Sequence, residues 1–243
     1  MQSLELIDSH SWSLSSIIPT AHPFFTINTH TLLNTWIAMG LLTILLIVAR
    51  VLVARKRTLG RYTVITAVRF LLDIYNQAFA TYSTTHFAFI TTVFLFIFFC
   101  NAISLIPWTE EPTTDLNTAL ALGIVSFLYA QAVAIKIHGI KEYIFGYFQP
   151  FFVFFPLNVV SKIASIISIS FRLFGNIFGG AIIAKLYTSA ISGVIIFEIF
   201  GIISTINIVI ALFFGLFEGF LQAFVFTMLT TTTIALAVQG ENH

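Results

Sequence analysis

Apolar residues run almost unbroken over positions 31–52. Roughly 22 residues of helix are enough to cross a ~30 Å hydrocarbon layer. The run ends in Arg55, Lys56, Arg57 and Arg61, a cationic cluster of the kind that marks the cytoplasmic or matrix side. The segment 1–30 is therefore expected on the outer side. The period of the pattern then changes. Val64, Ala67, Val68, Leu71, Leu72, Tyr75, Ala78 and Phe79 recur at helical spacing, with Arg69, Asp73, Asn76 and Gln77 between them. This predicts an amphipathic helix over 61–82 lying on the inner surface. Two further apolar runs, 87–106 and 116–135, flank the loop WTEEPTTD, which is acidic and lacks Lys and Arg. Lys136, His138 and Lys141 return beyond the second run. A helical hairpin over 87–135 with its loop outside satisfies that charge alternation.

The rest of the chain carries two longer helical patterns, 157–187 and 197–238, separated near Ser192 and Gly193. At 1.5 Å per residue they would measure roughly 45 and 60 Å. Straight helices of that length stay within a membrane only by tilting far beyond the usual ~20°. The reading is a steeply tilted antiparallel hairpin over 157–238; kinks at Gly201, Gly215 or Gly219 are the other way to fit the length. The predicted fold class is thus an all-α integral membrane protein. It has about five membrane helices plus one surface amphipathic helix, in a single polytopic domain over 1–243.

Composition agrees with this and narrows the function. The chain is 58% hydrophobic and 9% charged, where a soluble domain carries nearer ~25% charged residues. The net charge of +1 and the absence of a basic cluster interleaved with aromatics speak against a nucleic-acid partner. The single Cys100 excludes an intrachain disulfide framework and a multi-cysteine metal site. Six histidines fall outside HxxxH or HExxH spacing, so no metal site is expected; His10, His22, His30 and His86 read as interfacial or loop residues. No P-loop, GxGxxG or Ser-His-Asp pattern is present, no cofactor is expected, and the chain is not expected to be catalytic alone. The start MQSLELIDSHSWSLSSIIPTAHPFF lacks the basic flank and apolar core of a signal peptide and the Arg-rich character of a transit peptide. Insertion from the first helix is expected, in a bacterial plasma membrane or, if organelle-encoded, the mitochondrial inner membrane.

One residue stands out chemically. Arg172 is a lone arginine in the apolar, serine-dotted run ISISFRLFGNIFGG. Arginine keeps its proton at any biological pH. At membrane depth it costs at least ~2.5–3.5 kcal/mol, so it is a functional-site hypothesis by default. Ser165, Ser168, Arg172, Asn176 and Gly179 or Gly180 recur at spacings of three and four and share one helix face. On the last helix, Asn207, Glu218 and Gln222 form a second polar stripe, and Ala211, Gly215, Gly219 and Ala223 a small-residue stripe for close packing. If the two polar stripes meet at mid-membrane, Glu218 is the anion expected to face Arg172. A buried ion pair that only joins two helices is the bland alternative. Lys162 and Lys185 near the ends of the first long helix are expected to snorkel, and Glu198 to sit favourably at the start of the second.

The runs SFRLFGNIFGG and LQAFVFTMLT together resemble the two signature helices of subunit a of the rotary (F-type) ATP synthase, the proton-channel stator subunit. PTTDLNTALAL resembles the bacterial and chloroplast branch of that family, and the likeness covers nearly the whole chain. The resemblance implies that Arg172 takes the place of the essential arginine facing the carboxylates of a rotating c-ring. It makes Asn176 the polar residue beside it and Gln222 the glutamine that packs against it. Asp115 and Asn117 match polar positions at the outer mouth of the inlet half-channel. Ser168, Glu218 and Glu198 join them as proton-path candidates. The implied partners are the c-ring, a peripheral-stalk subunit b or equivalent, and the lipid bilayer. One departure stands out: the titratable pair that many members carry nine residues after the arginine and seven before the glutamine is Ala181 and Gly215 here. Glu218, one turn from Gln222, is the candidate substitute.

The implied mechanism is physically coherent. Two offset aqueous half-channels must never join, and a permanent cation between them repels protons and lowers the pKa of a passing carboxylate. Such a subunit couples proton flow to ATP synthesis performed elsewhere. The rival reading is a proton- or anion-coupled secondary transporter using Arg172 and Glu218. Transporters of that kind commonly show internal repeats, and none is visible here.

Overall fold

Long apolar runs with no interior proline satisfy their backbone polar groups most simply as helices, and in lipid they must. A computed structural model of the chain describes residues 11–13, 26–55, 59–79, 83–106, 109, 111–148, 151–191, 209 and 212–239. Five helices among them are long and apolar enough to cross a membrane, at His30–Ala54, Thr84–Leu105, Leu116–Gly146, Phe152–Gly180 and Leu212–Val238. They belong to α1 (Thr29–Ala54), α3 (Thr84–Ala102), α4 (Leu116–Gly146), α5 (Phe155–Ile191) and α6 (Gly219–Gln239). A sixth helix, α2 (Leu59–Ala78), follows the basic cluster. Among the described residues the helices are joined by one small antiparallel ribbon, β1 (Ser11–Ser13) with β2 (Thr26–Asn28), pairing Trp12 with Ile27.

Helix α2 is amphipathic as its pattern requires. Leu71, Ile74, Tyr75 and Phe79 are buried, while Arg69, Asp73, Asn76 and Gln77 are exposed. Its amino-terminal half differs from the expectation, because Ala67 and Val68 lie exposed instead of packed. The core joins four helices and this one: Leu71 and Ile74 of α2, Val93, Phe94 and Ile97 of α3, Ala119 of α4, Leu173 and Ile177 of α5, and Ala223 and Phe226 of α6. Helix α1 is peripheral; its buried residue Ala38 packs with Cys100 and Ile103.

Small residues set the register. A Cβ on Gly219 would lie 2.7 Å from Asn101 Cβ, so α6 can approach α3 this closely only through glycine. Gly123 of α4 meets Ser170 of α5 in the same way. Helix α3 runs antiparallel to α6, since Asn101 meets Gly219 while Ile90 packs with Ile234. His86 is not a loop residue: it lies in the first turn of α3, and its Nδ1 is 2.8 Å from the Tyr129 hydroxyl of α4. His138 Nε2 donates to the Ala237 carbonyl at 3.0 Å and ties the ends of α4 and α6.

Two helices depart from regular geometry. Helix α4 passes the expected end of its span and runs to Gly146, bending at Gly139, whose φ of +82° suits glycine alone. The approach to α6 is π-helical over Leu212–Glu218. A π-segment inserts an extra residue per turn and commonly accompanies function. Gly215 and Gly219 thus mark a change in helix winding rather than simple kinks. Helix α5 spans 37 residues, about 55 Å at helical rise. It packs chiefly along α4 and far less on α6. The expected hairpin over 157–238 is described on its second side only from Leu212 onward, apart from Val209. The connection of the two helices, with Glu198 and Asn207, lies outside the described residues.

Candidate functional site

The polar stripe of α5 does not face the protein core. Leu173 and Ile177 are buried on one side of the helix, whereas Ser165, Ser168, Arg172, Gly175 and Asn176 are exposed on the other. A helix rotates about 100° per residue, so burying 173 and 177 turns 172 and 176 toward the rim and 168 with them. No described residue forms an ion pair with Arg172 within 4.0 Å. The cation sits uncovered on an apolar flank among Phe171, Phe178 and Ile167, all exposed.

Beside it, a polar contact joins the two signature helices. Asn176 Nδ2 donates to Gln222 Oε1 at 2.9 Å. Gln222 is only 4% exposed, so its amide needs partners inside the fold. Asn176 is one helical turn from Arg172. The contact fixes the rim of α5 against α6 at the level of the arginine.

Glu218 is elsewhere. Its Oε2 lies 3.2 Å from the position a Cβ on Gly180 would take, which places it against α5 two turns beyond Arg172. Eight residues of helix separate the two levels by about 12 Å. The expected Arg172–Glu218 pairing is therefore not formed. Counting residues outward from the connection could not reveal this, because the π-segment and the contacts of α6 with α3 shift the register.

Asp115 has a structural task. It is the N-cap of α4, and its Oδ1 accepts the backbone N–H of Asn117 at 2.9 Å. A cap of this type contributes about 1 kcal/mol. Asn117 itself is exposed. Both stand at the end of the bundle where α3 and α4 are joined, on the same side as Glu218.

Several polar residues at that end were not singled out by sequence. Asn101 is buried in α3, accepts from Thr113 Oγ1 at 2.6 Å, and points Nδ2 toward the Gly219 carbonyl at 3.5 Å. Ser104 Oγ donates to the Asn101 carbonyl at 2.9 Å. Glu111 is half-buried, and burial pushes its carboxyl up to about 7. The only signal available was an amide ending the apolar run FLFIFFCN; Glu111 read as one more loop acid. No group of three or more His, Cys, Asp or Glu capable of holding a metal occurs among the described residues.

Comparison with known sequences points the same way. A model of the family described as ATP synthase A chain matches residues 32–235. The ATP synthase subunit a of Desulforamulus reducens is 36% identical over 156 residues, 63% of this chain and 58% of that protein. That of Moorella thermoacetica is 30% identical over 215 residues, 87% of this chain and 91% of its own length. A sodium ion specific ATP synthase subunit a from Propionigenium modestum is 32% identical over 184 residues, 70% of this chain and 60% of that protein.

Proposed function

The chain belongs to the ATP synthase A chain family, and from that premise we propose that it walls two offset aqueous half-channels and uses Arg172 to deprotonate and gate the carboxylates of a rotating c-ring. As a member of the family it is a multi-pass membrane, ion-translocating stator subunit. Proton coupling is the reading adopted here, with the c-ring and a peripheral-stalk subunit b as membrane partners. The setting is a bacterial plasma membrane or a mitochondrial inner membrane.

The observation that carries the proposal is the uncovered Arg172. A permanent cation on a lipid-facing flank is costly at membrane depth and is retained where an anion comes to it. No described residue pairs with it, and we read its anion as one supplied by a partner. A ring carboxylate moving past answers that need: neutral in lipid, it loses its proton opposite the guanidinium, whose charge favours the carboxylate. The small residues Ser165, Ser168 and Gly175 along the same face let a neighbouring helix approach closely. The transmembrane potential supplies ~2.3 kcal/mol per charge per 100 mV to drive the cycle. The transporter alternative, with Arg172 and Glu218 sharing one substrate, is disfavoured because the two lie on different levels.

Crosslinking tests the interface. In a Cys100→Ser background, Ser165→Cys and Ser168→Cys should form thiol crosslinks to single cysteines on the ring helices within the assembled complex. Ser170→Cys, on the buried side, should form none. Crosslinking from none of these positions would remove the ring from this face.

Sidedness is tested separately. Asn117→Cys in the same background should react with a membrane-impermeant thiol reagent from the outer side. Asp115→Cys should react more slowly, being half-buried. Labelling confined to the inner side would reverse the topology drawn from the Lys and Arg distribution.

A further inference from the structure

Ser170 of α5 is fully buried, and its hydroxyl has no hydrogen-bond partner among the described residues. A hydroxyl inside a helix can return to the carbonyl one turn back. Thr231 and Thr233 of α6 do so, at 2.7 and 2.8 Å. Ser170 does not. Its Oγ is turned to α4, where it occupies the space that a Cβ on Gly123 would need. The Ile166 carbonyl of α5 lies 3.4 Å from the same point. Only bare backbone at 123 leaves room for this approach. The glycine Cα–H that points there gives the oxygen a weak contact of the kind that recurs where helices pack closely.

This seat lies behind Arg172. Two residues of helix turn the chain by about 200° and advance it by about 3 Å. Ser170 and Arg172 therefore point in nearly opposite directions from almost the same level. Leu173 and Ile177 enter the core on the Ser170 side, and α5 packs chiefly along α4. The separation of α4 and α5 at Gly123 thus sets how far Arg172 stands out from the bundle. The Asn176–Gln222 bond governs a different coordinate, the rim of α5 against α6. A close-packed interior yields little, so one extra methyl at the seat moves the helix rather than being absorbed.

Resting on the reading of Arg172 as the residue that meets the ring, we propose that Gly123 and Ser170 are positioning residues, a steric stop between α4 and α5 that fixes how far Arg172 reaches toward its partner. The stop has a sign. A Cβ added at 123 pushes α5 off α4 and advances the guanidinium. Loss of Ser170 Oγ lets α5 settle and withdraws it. Residues that merely filled the core would not give opposite displacements.

The test uses the assembled complex in membrane vesicles and reads ATP synthesis and subunit retention. It also reads the rate of direct disulfide formation between Ser168→Cys, on the Arg172 face, and a single cysteine on a ring helix, in a Cys100→Ser background. Gly123→Ala should lower synthesis about tenfold or more while the disulfide forms faster, since a displacement of about 1 Å can cost on the order of 100-fold. Ser170→Ala should also lower synthesis, with the disulfide forming more slowly. Combining the two should bring both readings most of the way back, because the added methyl then stands 3.4 Å from the Cβ at 170 in place of the missing oxygen. Should Gly123→Ala lose subunits, Ser170→Ala, which crowds nothing, decides: normal synthesis with an unchanged disulfide rate overturns the stop. Single variants that shift the disulfide rate in the same direction, or losses that add in the double variant, overturn it as well. If Ser168→Cys forms the disulfide but is indifferent to both substitutions, the reading of Arg172 stands without the stop. If it forms none with 123 and 170 unaltered, the ring is not on this face and both fall.

Discussion

Arg172→Ala should abolish gradient-driven ATP synthesis while the complex keeps its subunits. The two halves of that expectation have separate causes. Assembly should survive because Arg172 is exposed and pairs with no described residue, so truncation leaves neither a cavity nor an orphaned anion among the described residues. Synthesis should fail because the nearest polar and small residues of that face, Ser165, Ser168, Gly175 and Asn176, are all neutral. Without a fixed charge a ring carboxylate has no reason to ionise at that level, and the two half-channels lose the barrier between them. Arg172→Lys should also fail largely. An ammonium lacks the planar fork that meets a carboxylate through two hydrogen bonds, and it can lose its proton in an apolar setting. Synthesis rates in vesicles, alongside blots for the ring and stalk subunits, give the answer. Normal synthesis in fully assembled Arg172→Ala membranes would sink the assignment.

Much of the architecture was legible because lipid reduces the choices. Continuous apolar runs must be helices, basic residues mark one side, and the switch to helical amphipathicity at Val64 has few other meanings. The membrane helices and α2 follow from these rules. The candidate site was legible in its parts but not in its register. Arg172, Asn176 and Gln222 were identifiable, and the last two do meet. The direction in which Arg172 points depends on Leu173 and Ile177 finding the core, which a helix of nearly uniform hydropathy does not announce. The position of Glu218 depends on the π-winding of Leu212–Glu218 and on Gly219 seating against Asn101, a contact across more than a hundred residues. No local pattern encodes either. Gly139 was invisible for another reason: a glycine with positive φ looks in sequence like any other helical glycine. Glu111 was hidden among loop acids because its partial burial arises from the folded hairpin end, which no local pattern encodes.

That limited packing of α5 on α6 makes the Asn176–Gln222 bond decisive for where Arg172 stands. Gln222→Leu keeps the volume and removes the acceptor, so the fold should hold while Asn176 loses its tie. A net hydrogen bond of this kind contributes only about 1 kcal/mol to stability. The effect on function should be larger. Misplacing a reacting group by about 1 Å can cost on the order of 100-fold, and Arg172 lies one turn from the broken contact. Gln222→Leu should therefore reduce synthesis by about tenfold to 100-fold with near-normal assembly. Asn176→Leu should act through the same bond. The double variant should then be no slower than the worse single, giving a coupling of roughly 1–3 kcal/mol in a double-mutant cycle. Losses that simply add would mean the two amides serve the ion path independently, for instance as separate water ligands. The bond would then join the helices without positioning the arginine, and the placement of Arg172 would rest on the packing of Leu173 and Ile177.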